Sequence, residues 1–421
     1  MAGEYGYEKL ARARLLRAQG RHEEAEAFLI EAIASNPTDP DAFCELALCQ
    51  LCIPEKKKSS LDSIDRALAL EPTAEFFAVK AMVLNALDRE QQALTFADKA
   101  IALDPDESFH FYVKAAALAG LSRWAAAEAE CRMALTLDAD DKAAKNLLAI
   151  VLRMQGKKWE TEVAVDQLLS ENPEDAWAHS NAGWAALTNS DYKKAEKHFR
   201  ESLRLDPGDE QSRSGLLEAF KARSPLYRAY LKYVFWMARF QQKTRWLIII
   251  GIYIGFRIGR VILEKVHPLL AVVFVFVYLI LVFGGLLASG VGNLLILMDR
   301  SARYALNKRE VIEALFVGGG FFGGILMVIA GFGFGLLPLV FVGGAITIGA
   351  IPLSLTFTND SANGQKLFGA IGAFVYVVGF WAAGQWMMSG AISEATSTLI
   401  GFAALAAVLC TWIGNVESLR R

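Results

Sequence analysis

The sequence predicts an all-α protein with two parts: an N-terminal superhelix of about six helical repeats and a C-terminal transmembrane bundle of about six spans. Three observations lead to this prediction. A proline recurs at a nearly constant interval through the first half of the 421 residues, and long apolar runs fill the second half. The charge also divides: residues 1–222 hold 27 Lys and Arg against 38 Asp and Glu, a net of −11, whereas residues 223–421 hold 16 against 7, a net of +9.

One residue near the end of each N-terminal copy marks the repeat, and successive markers are 35, 33, 34, 34 and 34 residues apart. Small residues at helical spacing, such as Ala93, Ala97 and Ala100, indicate that two helices approach closely. A 34-residue period with this pattern resembles the tetratricopeptide repeat (TPR). We therefore predict six copies over about residues 6–209 and a capping helix, within a cytoplasmic domain at residues 1–222. The markers are Pro37, Pro72, Pro105, Ala139, Pro173 and Pro207.

The TPR resemblance implies a right-handed superhelix whose concave groove is lined by the first helix of each repeat. Aromatic residues in such a groove are typical anchors for a protein partner. The alternative is that several of these side chains pack against a neighbouring helix. Glu45, Glu75, Asn146 and Arg153 are expected to face the same groove. The predicted partner-binding residues are Met82, Phe109, Tyr112, Ile150, Trp177 and Trp184.

Some members of the TPR family hold a C-terminal carboxylate with a clamp of Lys and Asn side chains. The matching positions of this chain hold Leu10, Arg14, Leu46, Glu75 and Val79. These residues disfavour a receptor for chaperone tails.

The second half contains six apolar runs long enough to cross about 30 Å of hydrocarbon as a helix. Arg257 and Arg260 interrupt the first run; they either snorkel to the interface or form a site for a lipid headgroup or substrate. Between runs two and three, about residues 293–310 mix leucine with basic residues, which predicts an amphipathic helix in the headgroup plane. The predicted spans, within a bundle at residues 246–416, are about 246–263, 267–289, 313–333, 336–357, 367–388 and 395–415.

Spans three and four are rich in glycine. Three pairs of glycines lie four residues apart, so each pair shares a helix face. Small faces predict close packing of membrane helices, either within one bundle or between subunits. The oligomeric state stays open. The pairs are Gly319/Gly323, Gly320/Gly324 and Gly331/Gly335.

The distribution of basic residues predicts the orientation of the spans. With the repeats in the cytoplasm and six crossings, the inside segments carry 13 Lys and Arg residues, and the outside loops carry Lys265 alone. We therefore expect a multi-pass protein of the bacterial inner membrane with both termini in the cytoplasm. The N-terminal segment does not resemble a signal peptide, which agrees with this expectation.

Residues 223–245 are basic and aromatic and predict a juxtamembrane helix that lies against anionic lipid headgroups. The acidic neighbouring domain and the adjoining span disfavour nucleic acid as a ligand. The predicted lipid-facing residues, two of them from the 293–310 segment, are Arg228, Lys232, Trp236, Arg239, Lys243, Arg245, Arg300 and Arg303.

The sequence contains little that points to catalysis or transport. Spans three to six contain no internal ionisable residue, with Glu313 at an edge, which disfavours a proton-coupled transporter. An intramembrane serine protease needs a histidine base, yet His267 in a loop is the one histidine of the second half. Cys49-x-x-Cys52 lacks further zinc ligands, so packing explains these cysteines better. We expect neither a metal nor a cofactor.

These features favour a non-enzymatic scaffold or adaptor. The bundle would anchor the array to the cytoplasmic face of the membrane, and the groove would recruit a protein partner. The alternative places the activity in the bundle, as a channel, a lipid- or solute-handling protein or a subunit of one, with the repeats regulatory.

Overall fold

The computed structural model describes residues 2–359 and 361–413, and this part of the chain is helical and contains no β-strand. The predicted all-α fold class is therefore confirmed. The chain divides into two compact units. The array unit holds Met1–Leu216 and Tyr230–Leu247, and the bundle unit holds Leu217–Ala229 and Ile248–Arg421.

The array unit contains six helical hairpins, as the 34-residue period predicts. Ala93, Ala97 and Ala100 are fully buried, which allows the paired helices to approach closely. The second hairpin accommodates its extra residue in a short 3-10 helix, Pro54–Lys56. The hairpin helices are α1 (Ala2–Ala18), α2 (His22–Ser35), α3 (Pro40–Cys52), α4 (Ser59–Leu70), α5 (Ala74–Ala86), α6 (Glu90–Leu103), α7 (Ser108–Gly120), α8 (Trp124–Leu137), α9 (Lys142–Gln155), α10 (Lys158–Glu171), α11 (Ala176–Thr188) and α12 (Tyr192–Leu205).

The turn inside most hairpins holds one residue in the left-handed backbone conformation. These residues are Gly20, Asp88, Ser122, Gly156 and Ser190, with φ of 76°, 57°, 55°, 76° and 67°. The last four are 34 residues apart in the sequence, so the conformation follows the repeat period. The second hairpin turns through its 3-10 helix instead.

Helix α13 (Glu210–Lys221) follows the sixth hairpin. Its first half packs on α12 within the array unit: Ser212 Oγ donates to Ser202 Oγ at 2.8 Å. Gly215 lies against the ring of Phe199, where a Cβ atom would not fit. Because Phe199 is fully buried, this packing closes the core of the last hairpin.

The segment predicted as a single juxtamembrane helix over residues 223–245 is interrupted. Helix α14 (Pro225–Ala238) ends before α15 (Gln242–Val266) begins. The Arg245 guanidinium donates to the carbonyl oxygens of Ala238 at 3.1 Å and Phe240 at 2.7 Å. These bonds satisfy carbonyl acceptors that the end of a helix leaves open.

The bundle unit continues with six further helical segments and contains most of the long apolar helices. Four helices of the described chain are long and apolar enough to cross a membrane: Lys243–Val266, Lys308–Gly333, Leu337–Thr358 and Ala362–Ser389. Of two shorter apolar helices, Gly284–Met298 overlaps only the end of predicted span two, and Glu394–Cys410 coincides with most of predicted span six. Residues 414–421, with the end of span six, Arg420 and Arg421, lie outside the described residues. The segments are α16 (Pro268–Met298), α17 (Lys308–Glu313), α18 (Gly320–Gly333), α19 (Leu337–Thr358), α20 (Ala362–Ser389) and α21 (Glu394–Ile413).

The prediction of an amphipathic helix at residues 293–310 is wrong. The leucines of this segment continue α16 to Met298. The carboxylate of Asp299 then accepts hydrogen bonds from the backbone N–H and the hydroxyl of Ser301, both at 2.8 Å, and the chain turns. Helix α17 begins after Asn307, which forms a capping box with Glu310. The apolar and basic residues therefore belong to different elements.

Residues Ala314–Gly319 form a π-helix between α17 and α18. A π-helix has i→i+5 hydrogen bonds, so residues five apart come into line. Glu313 and Gly318 consequently both face α16. Asn293 Nδ2 donates to Glu313 Oε2 at 3.0 Å, and Gly318 lies against the backbone of Gly290.

Glycines also allow α18 and α19 to pack closely. A Cβ atom on Gly324 would lie 2.6 Å from the carbonyl oxygen of Gly343, and a Cβ atom on Gly343 would lie 2.6 Å from that of Gly324. Gly331 meets Val340 in the same way, whereas Gly323 faces open space. The close packing expected from the glycines is thus made within the bundle at some of these positions.

Candidate functional site in the groove of the array

The first helices of the fourth, fifth and sixth hairpins surround a cavity of 340 Å³ in the array unit. Three of the predicted groove residues, Tyr112, Ile150 and Trp177, lie together in its wall. The Trp177 side chain is 62% exposed. The other lining residues are Lys142, Ala143, Asn146, Leu147 and Asp175.

Aspartate caps fix the helices that carry these side chains. Asp141 Oδ1 accepts the backbone N–H of Ala144 at 3.0 Å at the start of α9. Asp175 Oδ1 accepts those of Trp177 at 2.8 Å and Ala178 at 3.3 Å at the start of α11. Because a capping carboxylate satisfies N–H groups of the first turn, it sets the direction in which Trp177 leaves the helix.

The other predicted groove residues are more enclosed. Phe109 stacks on Tyr112 with ring centroids 6.3 Å apart, and both pack against the core of the third and fourth hairpins. Met82 is half-buried in the same cluster. Trp184 is half-buried and meets Phe199 edge to face at 5.4 Å. Phe109, Met82 and Trp184 therefore pack within the array and do not line the cavity.

Amide side chains form a polar strip between α9 and α11. Asn181 Nδ2 donates to Asn146 Oδ1 at 2.8 Å, and Asn146 Nδ2 donates to the carbonyl oxygen of Lys142 at 3.0 Å. Both amides are buried. Burial, with a smaller contribution from Asp141, raises the pKa of the nearby Tyr112 hydroxyl, so this phenol stays neutral.

The side chain of Arg153, which was expected to face the groove, has no hydrogen bond within the described residues. The guanidinium carbon of Arg153 lies 5.9 Å from the ring centroid of Trp184. Burial lowers the pKa of Arg153 to about 10. The indole nitrogen Nε1 of Trp184 is buried and has no hydrogen-bond partner within the described residues. Arg153 was predicted from the sequence to face the groove, but only the structure shows that its side chain lacks a hydrogen-bond partner.

The predicted lipid-facing residues occupy several environments. Lys232, Trp236, Lys243, Arg300 and Arg303 are exposed, whereas Arg228, Arg239 and Arg245 are half-buried. In the array unit, Trp124 Nε1 donates to the carbonyl oxygen of Arg239 at 3.0 Å, and the Arg239 guanidinium lies beside Gly156. Contacts with protein thus account for part of the burial of Arg239 and Arg245.

A buried polar cluster in the bundle unit was missed by sequence reasoning. Glu313, placed at the edge of a span, is only 5% exposed, and its Oε2 atom accepts a hydrogen bond from Asn293 Nδ2. Lys221, 6% exposed, donates to Glu218 Oε1 at 2.9 Å, and Tyr227 donates to Glu218 Oε2 at 3.0 Å. The sequence feature that could have predicted this cluster is the pair Ser289 and Asn293, two polar residues four apart in the apolar segment before Glu313.

The cysteines are free thiols. Burial is the main reason that the pKa values of Cys49 and Cys131 rise to about 12, so these thiols are inert. Cys52, the other member of Cys49-x-x-Cys52, is exposed. Within residues 2–359 and 361–413, no group of three or more His, Cys, Asp or Glu side chains is arranged to hold a metal ion.

Comparisons with solved structures give matches over about half of this chain. PilF of Pseudomonas aeruginosa is 18% identical over 53% of this chain and 99% of that chain, with a TM-score of 0.40. A TPR protein of Parabacteroides merdae is 17% identical over 57% and 96%, with a TM-score of 0.42. The APC/C complex Cut9–Hcn1 is 18% identical over 51% of this chain but only 43% of that chain, with a TM-score of 0.44.

A comparison of the sequence with curated proteins finds no match. Two family models of the tetratricopeptide repeat match residues 8–49 and 176–209, which are the first and the last copies of the array. Four further hairpins of the same length lie between them. The N-terminal half of this chain therefore contains tetratricopeptide repeats at both ends and forms a TPR-like superhelix.

Proposed function

We propose that the protein is a non-enzymatic, membrane-anchored scaffold that holds a protein partner in the groove of its TPR array. The observation that carries this proposal is the cavity beside Trp177, whose indole is 62% exposed and shares the cavity wall with Tyr112 and Ile150. An exposed tryptophan beside an apolar cavity wall is typical of surfaces that a partner covers. An extended segment or a helix of the partner would bury the indole.

Anchoring in the cytoplasmic membrane is the second part of the proposal. It is supported by the four helices long enough to span a bilayer and by the excess of basic residues on one side of the predicted spans. We infer six crossings, cytoplasmic termini and an array at the cytoplasmic face. The exposed Lys232, Lys243, Arg300 and Arg303 would contact anionic lipid headgroups. The acidity of the array disfavours nucleic acid as a partner.

A channel or a lipid- or solute-handling protein is the second candidate function. The buried carboxyl group of Glu313 favours it, because ionisable residues inside membranes commonly mark ion or substrate paths. The close contacts between Gly324 and Gly343 favour the scaffold instead, since they leave no space between α18 and α19 at that point.

The groove proposal is tested by photo-crosslinking in intact cells. The photoreactive residue p-benzoylphenylalanine replaces Trp177 in the full-length protein. The matched control carries it at Trp159, which is 76% exposed on α10, the second helix of its hairpin, and does not line the cavity. We expect a discrete protein adduct from position 177 and none from position 159. Equal adducts at both positions, or none at position 177, would contradict the proposal.

A further inference from the structure

Helix α12, the second helix of the sixth hairpin, carries a positive charge that the second helices of the other hairpins lack. Its 14 residues hold five Lys and Arg against two Glu, a net of +3. Counted in the same way, the net charge of α2 is −4, that of α10 is −3, and those of α4, α6 and α8 are −1 each. The charge therefore changes sign at one helix of a domain whose net charge is −11.

Four of the five basic residues form one stripe along α12. They are successively four, three and four residues apart, so their side chains leave the same face of the helix. All four side chains are exposed, whereas Ala195, Phe199 and Ser202 on the opposite face are buried. This stripe, which we call the basic face, consists of Lys193, Lys197, Arg200 and Arg204.

Carboxylates of the array neutralise the basic face only in part. Arg204 pairs with Glu201 at 2.7 Å, and both side chains of this ion pair are solvent-accessible. Lys193 and Lys197 form no ion pair within the described residues. The basic face therefore presents ammonium groups that an anionic partner can contact.

The position of α12 in the chain favours a lipid surface as this partner. The sixth hairpin is the last of the array, and a helix long and apolar enough to cross a membrane begins soon after it, at Lys243. An anionic leaflet attracts each Lys or Arg near its surface and repels the carboxylates that dominate the other second helices. Electrostatics therefore favours an orientation in which α12 is the second helix that meets the headgroups.

We propose that the basic face of α12 binds anionic phospholipid headgroups, so that the sixth hairpin rests on the cytoplasmic leaflet. This inference rests on the proposed anchoring of the array at the membrane. The contact is electrostatic, because the face consists of charged side chains and the apolar Ala195 and Phe199 are buried inside the hairpin. It therefore requires anionic lipid and weakens as the salt concentration rises.

The test is chemical labelling of the native lysines in the full-length protein, reconstituted in lipid nanodiscs. Formaldehyde, an uncharged reagent, methylates lysines reductively, and mass spectrometry of proteolytic fragments gives the labelling rate at each position. Discs of phosphatidylcholine alone are compared with discs of phosphatidylcholine and phosphatidylglycerol in equal parts. We expect labelling of Lys193 and Lys197 to slow about fivefold in the anionic discs. The rates should recover at about 1 M salt, where the screening length falls to about 3 Å.

Lys57 and Lys58 provide the comparison within the same molecule, because they are exposed neighbours between the helices of the second hairpin. Their labelling should change less than about twofold between the two kinds of disc. Equal protection of these lysines, or no protection of Lys193 and Lys197, overturns the basic face as a lipid surface and leaves the anchoring standing. Failure of the protein to enter the discs contradicts the anchoring, and the inference falls with it.

A charge-reversal variant gives a second readout. Lys193→Glu combined with Lys197→Glu changes exposed side chains that form no ion pair, so the hairpin should keep its fold. Lys194, which is exposed beside the basic face, reports the lipid contact. We expect anionic discs to protect Lys194 in the wild type and in the control Lys57→Glu with Lys58→Glu, but not in the charge-reversal variant. Unchanged protection of Lys194 in that variant would overturn the inference.

Discussion

Glu128 joins three helices of the array through one side chain. Its carboxylate accepts hydrogen bonds from Lys157 Nζ at 2.8 Å, Gln155 Nε2 at 2.6 Å and Arg132 Nη2 at 2.9 Å. Burial acts to raise the pKa of Glu128, but these donors outweigh it and lower the pKa to about 2. The ionised carboxylate therefore stabilises the packing of α8, α9 and the start of α10.

We predict that Glu128→Gln destabilises the array by about 2 kcal/mol at neutral pH. The pKa of this group is lower in the folded state than its ordinary 4.5, so its contribution is present above pH 4.5 and is lost as the pH falls toward 2. Thermal melting followed by circular dichroism should therefore show a difference from the wild type at pH 7 that narrows by pH 3. Glu201→Gln, in an exposed pair with Arg204, is the control and should change little. If the difference in melting temperature between Glu128→Gln and the wild type did not change with pH, ionisation of Glu128 would not be the source of the stability.

The residues of the candidate site were predictable to different degrees. Tyr112, Ile150 and Trp177 lie in one cavity because groove positions recur with the repeat period, which the sequence displays. The isolation of Arg153 was not predictable, since it depends on which carboxylates of neighbouring helices are already engaged. The nearby Glu128, for example, is held by Lys157 and Arg132.

At the scale of elements, the contact between α16 and the π-helix is a close approach of two backbones that a substitution can probe. A Cβ atom on Gly318 would lie 2.5 Å from the carbonyl oxygen of Gly290, which is backbone and cannot rotate away. The adjacent Gly319 has space, because a Cβ atom there would lie 3.7 Å from the nearest atom, the Ala314 carbonyl oxygen. The two glycines therefore form a matched pair.

We predict that Gly318→Ala forces α16 and the π-helix apart and destabilises the bundle by about 1–3 kcal/mol. Gly319→Ala should be tolerated. The measurement is the thermal aggregation temperature of each purified full-length variant in the same detergent. Equal behaviour of the two variants would show that the contact between Gly290 and Gly318 does not limit stability.

Elements were predictable where the signal was periodic or continuous. The hairpin helices and the long apolar helices follow directly from such patterns. The 293–310 segment failed because Asp299-x-Ser301 and Asn307-x-x-Glu310, which are turn and capping signals, were read as part of one amphipathic helix. The π-helix has no comparable signal, since it differs from an α-helix in its hydrogen-bond register and not in its composition.

At the scale of the whole molecule, composition predicted two parts of opposite character, and the chain indeed forms two units. The division differs from the predicted one at residue 222, because Tyr230–Leu247 belongs to the same unit as the repeats. The hydrogen bond from Trp124 to Arg239 joins residues that are 115 apart in the sequence, and no local sequence pattern predicts a contact at that separation.

We predict that the loop after α20 faces the outside of the cell and the loop before it faces the cytoplasm. Asn363, the second residue of α20, and Ser389, its last residue, lie next to these loops and are exposed. In intact cells, a cysteine at Ser389 should react with a membrane-impermeant maleimide, and a cysteine at Asn363 should react only after the membrane is permeabilised. The reverse pattern would invert the orientation and remove the array from the cytoplasm.

The left-handed turns of the hairpins lower the thermal stability of the array. Asp88, Ser122 and Ser190 hold φ values of 57°, 55° and 67°, where a Cβ atom is disfavoured by about 1 kcal/mol. Gly20 and Gly156 adopt the same conformation without this penalty. Because the strained turns lie in separate hairpins, glycine at each would add its effect to the others. Glycine at Ser122 and at Ser190, which do not line the cavity, should therefore raise the melting temperature of the array.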